Sequence, residues 1–277
     1  MKLGFVTCVQ LGLDCMEEIY AQGHTLEVVV TLKDDIAPAK SGRVYVDAFC
    51  EHHGIDVVKV RNINDDDALA ALARFDLDWL FIIGWSQIAR DAVLNSPRLG
   101  CIGAHPTLLP RGRGRAAIPW AIIKGLDRTG VTLFKLDGGV DTGPVITQIP
   151  IDLDPDETAT TLYPRVADAH REAIRTLTTC FDNDTLVLTE QDDAQATTWP
   201  GRRPEDGRLS PEMTCLEADR LIRAVTHPYP GAFVERDGRL LVVWSAAVPG
   251  ASDDAGRPRI ACRDGELVAT DYEWRDA

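Results

Sequence analysis

Four short apolar runs, each followed by a segment with helical spacing, fill the first 95 residues. The apolar runs are KLGFVTC (2–8), LEVVVTL (26–32), DVVKV (56–60) and LDWLFIIGW (77–85), and the helical segments are 13–23, 45–55, 64–75 and 87–95. Runs that are apolar throughout are typical of strands covered on both faces. The alternation therefore predicts an α/β fold with a Rossmann-like, doubly wound and mostly parallel sheet joined by right-handed crossovers.

The next part of the chain continues this pattern up to about residue 182. A strand, a glycine-rich loop and a second strand are predicted over 130–151. Apolar residues spaced three or four apart predict a helix over 157–177. Pro, Gly and charged residues are then frequent up to residue 210, which is typical of a connector.

The C-terminal part reads as a small β-rich, OB-like subdomain. A helix with a turn is predicted at 217–233, and Asp237-Gly238 predicts the turn of a hairpin over 232–248. Further short strands are predicted at 259–263 and 266–270. The predicted organisation is a first domain at 1–182, a connector at 183–210 and a C-terminal subdomain at 211–277.

The chain is strongly acidic. It has 29 basic and 43 acidic residues, a net charge of −14 and an isoelectric point near 4.8. Affinity for nucleic acids comes mostly from neutralising phosphates, so this charge argues against DNA or tRNA as a partner. A small anionic ligand held by a few local cations remains compatible with it.

Cysteine spacing and hydropathy exclude other classes of protein. The seven cysteines are scattered without a C-x-x-C pair, so neither a disulfide framework nor a zinc site is predicted. No apolar run approaches the roughly 20 residues that cross a bilayer, and the start of the chain does not read as a signal peptide. We therefore predict a cytoplasmic protein without a metal ion and without a membrane partner.

Two short loops carry the residues best suited to chemistry. His105 follows the apolar run CIGA, and Asp137 and Asp141 lie in LDGGVDTGP. Both loops follow predicted strands, so they are expected at the same end of the sheet, where such folds bind ligands. A histidine and a carboxylate can move a proton near neutral pH, although a structural histidine and a plain turn are the simpler interpretation. The first strand is not followed by G-x-G-x-x-G, so no dinucleotide fingerprint is present.

Several further motifs, in order, resemble the 10-formyltetrahydrofolate-dependent formyltransferase family. They are His105-Pro-Thr-Leu-Leu-Pro110, Arg113-Gly114, Ala117-Ile-Pro-Trp-Ala121, Thr129-Gly-Val-Thr132 and Leu136 through Pro144, with Arg203-Pro-Glu-Asp-Gly207 and Arg223 through Ala232 in the tail. The tail motifs are similar to the C-terminal subdomain of the tRNA and sugar branches. The resemblance covers most of the chain from about residue 79 to 247.

The resemblance implies the roles of the residues at the two loops. The catalytic histidine and aspartate of the family fall on His105 and Asp141. The formyl donor, 10-formyltetrahydrofolate, is expected between a strand end and the glycine-rich loop. The residues implied to bind it are Gly84, Trp85, Ser86, Gln87, Ile88, Leu136, Asp137, Gly138, Gly139 and Val140.

Gly103 departs from the family pattern, which has a catalytic asparagine two residues before the histidine. Loss of a donor to a developing oxyanion typically costs about a hundred- to a thousand-fold in rate. A substitute donor (His105, a backbone N–H near 103–105, a water, Ser86 or Gln87) is the interpretation that we favour. The alternatives are a slow enzyme, a non-catalytic folate or nucleotide-sugar binder, and release of formate by hydrolysis.

The formyl acceptor implied by the resemblance is a primary amine. Arg111, Arg113 and Arg115 can hold one diphosphate, because planar guanidinium groups match phosphate oxygens. One of these three arginines is expected to have a structural role, and Arg113 is the best candidate for it. Gln10, after the first strand, is a further substrate-binding candidate. We therefore predict a nucleotide-linked amino sugar as acceptor. The alternative is methionyl-tRNA or another small amine, and a homodimer is common in the family.

Overall fold

The computed structural model describes residues 1–36, 42–250 and 256–276. They belong to two compact units, and the chain passes between these units more than once. The first unit contains residues 1–113, 130–150 and 167–197, and the second contains 114–129, 151–166 and 198–277. The boundaries drawn from the sequence near residues 182 and 210 stay a prediction.

A seven-stranded sheet with the order β3-β2-β1-β4-β5-β7-β8 dominates the first unit. Its strands are β1 Leu3–Val6, β2 Val28–Leu32, β3 Asp56–Val60, β4 Trp79–Ile82, β5 Gly100–His105, β7 Arg128–Lys135 and β8 Val145–Asp152. The neighbours from β3 to β5 are parallel, whereas β5 and β7 are antiparallel. The mostly parallel, doubly wound α/β fold is therefore confirmed. Two-residue strands, β6 Arg113–Gly114 and β9 Thr198–Trp199, pair separately.

The core lies on both faces of this sheet because successive residues of each strand point in opposite directions. Phe5 and Phe81 belong to one apolar cluster and stack with ring centroids 5.5 Å apart. Val6 follows Phe5 and Leu80 precedes Phe81 along their strands, and both belong to the apolar cluster on the other face. Burying such a side chain contributes roughly 1.5–3 kcal/mol, so continuous apolar runs favour a strand at the centre of a layered fold.

The helices follow the predicted order but not always the predicted length, and the helix over Ala117–Ile123 was not predicted from the sequence. They are α1 Gln10–Ala21, α2 Asp47–His53, α3 Asp66–Ala73, α4 Asp91–Leu94, α5 Ala117–Ile123, α6 Ala159–Asp182 and α7 Cys215–Val225. α2 ends at Gly54, which has the left-handed φ of 67° that glycine adopts readily. α4 is shorter than predicted because side chains hold the preceding segment in an irregular form: the Arg90 N–H donates to Asn64 and the Ile63 N–H donates to Gln87.

The second unit contains a four-stranded antiparallel sheet with the order β10-β11-β13-β12, which confirms the β-rich C-terminal part. Its strands are β10 Ala232–Arg236, β11 Arg239–Ala247, β12 Arg259–Cys262 and β13 Gly265–Asp276. Asp237 and Gly238 connect β10 to β11 with φ angles of 51° and 72°. Two positive φ angles fit the right-handed twist of a two-residue hairpin, as the sequence predicts.

The described part of the chain also bears on the predicted partners. It has no helix long and apolar enough to cross a membrane. In the same residues, His, Cys, Asp and Glu side chains do not come together in groups of three or more that could hold a metal ion. Cys8, Cys15, Cys50 and Cys101 are buried thiols, and burial raises the pKa of Cys101 to about 12.

Candidate active site

The glycine-rich loop after β7 is closed by its own side chains. Asp137 Oδ1 accepts hydrogen bonds from the Gly139 N–H at 3.0 Å and from the Thr142 hydroxyl at 2.7 Å. Asp141 has a φ of 56°, which is rare for a residue with a side chain and concentrates at functional sites. The loop is thus a defined turn that presents the Asp141 carboxylate.

Gly143 ends this loop at a position without room for a side chain. A Cβ atom there would overlap the backbone oxygen of Lys135, and backbone cannot move aside as a side chain can. We expect Gly143→Ala to lower the melting temperature by several degrees, whereas Gly138→Ala, where a Cβ meets open space, changes it by much less. Thermal unfolding of both purified variants tests this; equal melting temperatures would contradict the packing argument.

His105 lies at the end of β5, buried between two acceptors. Its Nδ1 is 3.5 Å from Asp141 Oδ2, and its Nε2 is 2.7 Å from the carbonyl oxygen of Gly112. A carbonyl oxygen only accepts, so Nε2 carries a proton. With this proton on Nε2, Nδ1 is the ring nitrogen that faces the Asp141 carboxylate. The structure therefore places the two predicted residues together, in an arrangement through which a proton can pass between the imidazole and the carboxylate.

A cavity of about 190 Å³ lies beside this pair. Apolar side chains and polar groups share its lining, and Asp141 belongs to it whereas the buried His105 does not. A second depression of about 380 Å³ shares Leu94, Leu136, Asp137 and Gly138 with the cavity, so the two are neighbours. Two apolar residues at the cavity, Ile88 and Val140, are exposed, as expected of a surface that a ligand covers.

Gly103 faces this cavity, and its missing side chain has a structural consequence. A Cβ atom at Gly103 would lie 2.5 Å from Cδ2 and 3.0 Å from Cγ of Leu136. Such distances are far shorter than a van der Waals contact. Leu136 therefore occupies space that a side chain at position 103 would need, and both residues line the cavity.

Most residues predicted to bind the donor line this cavity. Those that do are Trp85, Gln87, Ile88, Leu136, Asp137, Gly138, Gly139 and Val140. Gly84 and Ser86 do not line it: a Cβ at Gly84 would overlap Val9, and Ser86 is exposed. Both ends of the Gln87 amide are engaged by the backbone of Arg61 and Ile63, so Gln87 is poorly placed as a substitute donor.

The sequence analysis missed the apolar wall of the cavity. The unpredicted residues are Ile82, Ala89, Leu94, Ala104 and Phe134. Only the position of Ile82 and Ala104 near strand ends could have indicated them. Trp85 packs against the core and also lines the cavity, so its two proposed roles are not exclusive.

The residues predicted to bind the acceptor differ in their surroundings. Gln10 donates to Asp14 at 2.9 Å within α1. Arg113 is buried, and its guanidinium donates to Gln191 and to Asp193 at 2.7 Å, which favours the structural role over contact with a substrate. Arg111 and Arg115 are exposed, and no ion pair to either is found among the described residues.

Family models and relatives identify the family of the chain. The model described as formyl transferase matches residues 13–178, and that of the formyl transferase C-terminal domain matches residues 202–275. The methionyl-tRNA formyltransferase of Agathobacter rectalis is 33% identical over 259 residues, which cover 92% of this chain and 82% of the relative. That of Desulfotalea psychrophila is 35% identical over 227 residues, 81% of this chain and 70% of the relative.

Solved structures share the fold at lower identity. The methionyl-tRNA formyltransferase from Clostridium thermocellum superposes with a TM-score of 0.67 at 17% identity and covers 100% of both chains. The N-formyltransferase from Helicobacter canadensis, in complex with folinic acid and dTDP-3-aminofucose, gives a TM-score of 0.72 at 15% identity over 97% of this chain and 98% of its own. With the two matching family models and the identity to its relatives, the chain belongs to the formyltransferase family and is a formyl-tetrahydrofolate-dependent N-formyltransferase.

Proposed function

We propose that this enzyme transfers the formyl group of 10-formyltetrahydrofolate to the primary amine of a nucleotide-linked amino sugar. The observation that carries the transfer chemistry is the His105–Asp141 pair beside the cavity. A cavity lined by both apolar side chains and polar groups suits the flat pterin with its polar edge, and the neighbouring depression suits the rest of the donor. Backbone groups of residues 136–141 would contact the pterin edge.

Proton transfer is the part of the reaction that the pair would perform. The neutral amine attacks the formyl carbon, a carbon–nitrogen bond forms, and the bond from that carbon to N10 of the donor breaks. The amine loses a proton, and N10 of the departing tetrahydrofolate gains one. Asp141 reaches the cavity and His105 is buried behind it, so we assign first contact with the amine proton to Asp141 and orientation of the carboxylate to His105.

The charge that develops on the formyl oxygen requires a donor, and Gly103 supplies no side chain. Of the substitutes considered from the sequence, Gln87 is engaged elsewhere and Ser86 lies outside the cavity lining. A proton held by the His105–Asp141 pair, a backbone N–H near 103–105 or an ordered water then remains. We favour the pair because Asp141 lines the cavity and, once it has taken the amine proton, carries an O–H that can donate to the charged oxygen.

The acceptor is argued from charge. With a net charge of −14, the chain would repel the phosphates of tRNA over most of its surface. Arg111 and Arg115 are each exposed, and the planar fork of an exposed guanidinium can contact a phosphate. The names of the relatives favour the second candidate, methionyl-tRNA, because the two reported above are methionyl-tRNA formyltransferases.

The test is release of tetrahydrofolate from 10-formyltetrahydrofolate with three sets of acceptors. The first set holds nucleotide-linked 3-amino and 4-amino sugars, the second charged initiator methionyl-tRNA, and the third small amines. We expect turnover with one member of the first set, and a lower kcat/KM for it in Arg111→Ala and Arg115→Ala. Formate released without any acceptor would instead indicate hydrolysis.

Salt dependence separates the two leading acceptors. Binding of tRNA releases many counterions, so its affinity falls steeply with salt, whereas a single diphosphate loses much less. Turnover with methionyl-tRNA, together with a steep loss between low and physiological salt, would replace the sugar proposal. Binding of the donor without turnover in any set would support a non-catalytic binder.

A further inference from the structure

Residues 189–197, which we call the strap, lie within the segment that the sequence predicts as a connector. They contact both loops of the His105–Asp141 pair. Thr189 and Val145 exchange backbone hydrogen bonds at 2.7 and 2.9 Å. Further along, Thr197 bonds the 110–113 loop, and Gln191 bonds the glycine-rich loop. All of these residues belong to the first unit.

Gln191 is the contact between the strap and the loop of Asp141. Its Nε2 donates to the carbonyl oxygen of Asp141 at 2.9 Å and to that of Gly143 at 2.7 Å. Both carbonyls lie on the C-terminal side of the Asp141 Cα atom, in the turn in which Asp141 adopts its left-handed conformation. A residue in a sparsely populated conformation persists only when its surroundings hold it, and Gln191 holds the chain where it leaves Asp141.

Arg113 fixes which way the Gln191 amide points. Its Nε and Nη2 lie 3.2 and 2.8 Å from Gln191 Oε1, and Nη2 is also 2.7 Å from Asp193 Oδ1. A guanidinium group only donates, so the amide oxygen must face Arg113 and the amide nitrogen must face the loop. The Arg113 side chain is 10% exposed, and a charge this buried requires such partners.

Thr197 fixes the position of Gly112, whose carbonyl oxygen accepts the hydrogen bond from His105. The Gly112 N–H donates to Thr197 Oγ1 at 2.9 Å, and the Arg113 N–H donates to the Thr197 carbonyl oxygen at 2.9 Å. The Gly112 carbonyl oxygen, in turn, is the atom 2.7 Å from His105 Nε2. One nine-residue segment therefore sets the positions of the groups on both sides of the imidazole.

We propose that Gln191 is a positioning residue of formyl transfer, which aligns Asp141 with His105 through the strap. The expected loss of turnover rests on the proposed function, whereas the expected loosening of the Asp141 loop does not. Gln191 does not line the cavity, so its effect passes through the Asp141 loop. Misplacement of a reacting group by about 1 Å can cost about a hundred-fold in rate.

The experiment compares Gln191→Met and Gln191→Glu with the control Gln195→Ala. Met keeps the length and removes both sets of hydrogen bonds. Glu keeps an acceptor for Arg113 but places an oxygen against the two loop carbonyls. Gln195 lies in the same strap and bonds only Asp192 among the described side chains. The readouts are kcat and donor KM, thermal unfolding, and hydrogen–deuterium exchange of peptides covering residues 137–145.

We expect both Gln191 variants to lose at least about tenfold in kcat, with a smaller change in donor KM. Exchange in the 137–145 peptides should rise, while Gln195→Ala matches the wild type in every readout. Gln191→Glu also loses the two hydrogen bonds to the loop, so both Gln191 variants should unfold at a lower temperature than the wild type. Turnover is therefore measured well below the lower unfolding temperature, where a loss of kcat reports positioning and not global unfolding.

Two results would overturn the proposal: exchange in residues 137–145 that is unchanged in both Gln191 variants, or wild-type kcat in both. If the wild type transfers no formyl group to any acceptor, formyl transfer itself is refuted. The exchange measurement then still decides whether Gln191 holds the loop.

Discussion

His105→Ala and Asp141→Asn are each expected to lower turnover by a factor of about 10²–10⁴, the usual contribution of a positioned proton-transfer group. Asp141→Asn is nearly isosteric, so it removes the charge 3.5 Å from His105 Nδ1 and leaves the loop in place. His105→Ala also leaves the Gly112 carbonyl oxygen without its donor. Steady-state release of tetrahydrofolate, with thermal unfolding in parallel, measures both effects.

A second histidine–aspartate pair in the first unit provides the matched control. His24 Nε2 lies 3.3 Å from Asp182 Oδ1, away from the residues that line the cavity. His24→Ala and Asp182→Asn should retain wild-type turnover. A fully active His105→Ala enzyme would exclude His105 from the chemistry. Should His105→Ala fail to fold, His105→Gln retains a polar side chain at the same site and is judged by the same assay.

Much of the site was predictable because it depends on short-range sequence features. Strands that are apolar throughout indicate a buried sheet, and the residues after them meet at one end of it. His105 follows from this reasoning, because β5 is parallel to β4. The loop from Leu136 to Val140 and Asp141 do not, because β7 is antiparallel to β5 and ends near the start of that strand. Only the family motifs indicated that Asp141 lies beside His105. It was harder to predict which of the residues after β4 face the cavity, since Trp85 lines it whereas Gly84 and Ser86 do not.

Contacts between distant residues could not be predicted in this way. Gln191 lies 50 residues from Asp141 and 78 from Arg113, within a polar stretch typical of a connector. No local periodicity distinguishes such a residue from its solvated neighbours. The shortness of α4 has a similar origin, because tertiary hydrogen bonds from Asn64 and Gln87 outweigh helical propensity over residues 87–90.

Gly103→Asn is the substitution that restores the family residue, and we expect it to lower turnover rather than raise it, by about a hundred-fold, as misplacement of reacting groups can do. The physical reason is Leu136, whose Cδ2 would lie 2.5 Å from the new Cβ atom. Leu136 lines the cavity, so the shift that makes room for this Cβ atom also displaces part of the wall that the donor would contact. Binding of 5-formyltetrahydrofolate should weaken in the same variant, as titration calorimetry can measure.

Two further variants separate the effect of space from the effect of chemistry. Gly103→Ala adds the same Cβ without an amide, so it should lose donor binding to a similar degree. In Gly103→Asn combined with Leu136→Ala, the removed isobutyl group makes room, and donor binding should recover towards that of Leu136→Ala alone. If the double variant also turns over faster than Leu136→Ala, the asparagine amide is supplying the oxyanion donor that the wild type lacks.

A single Gly103→Asn variant as active as the wild type would show instead that Leu136 moves aside freely. Packing would then not require glycine at position 103. Substitutions at positions 103 and 136 would have additive effects on donor binding.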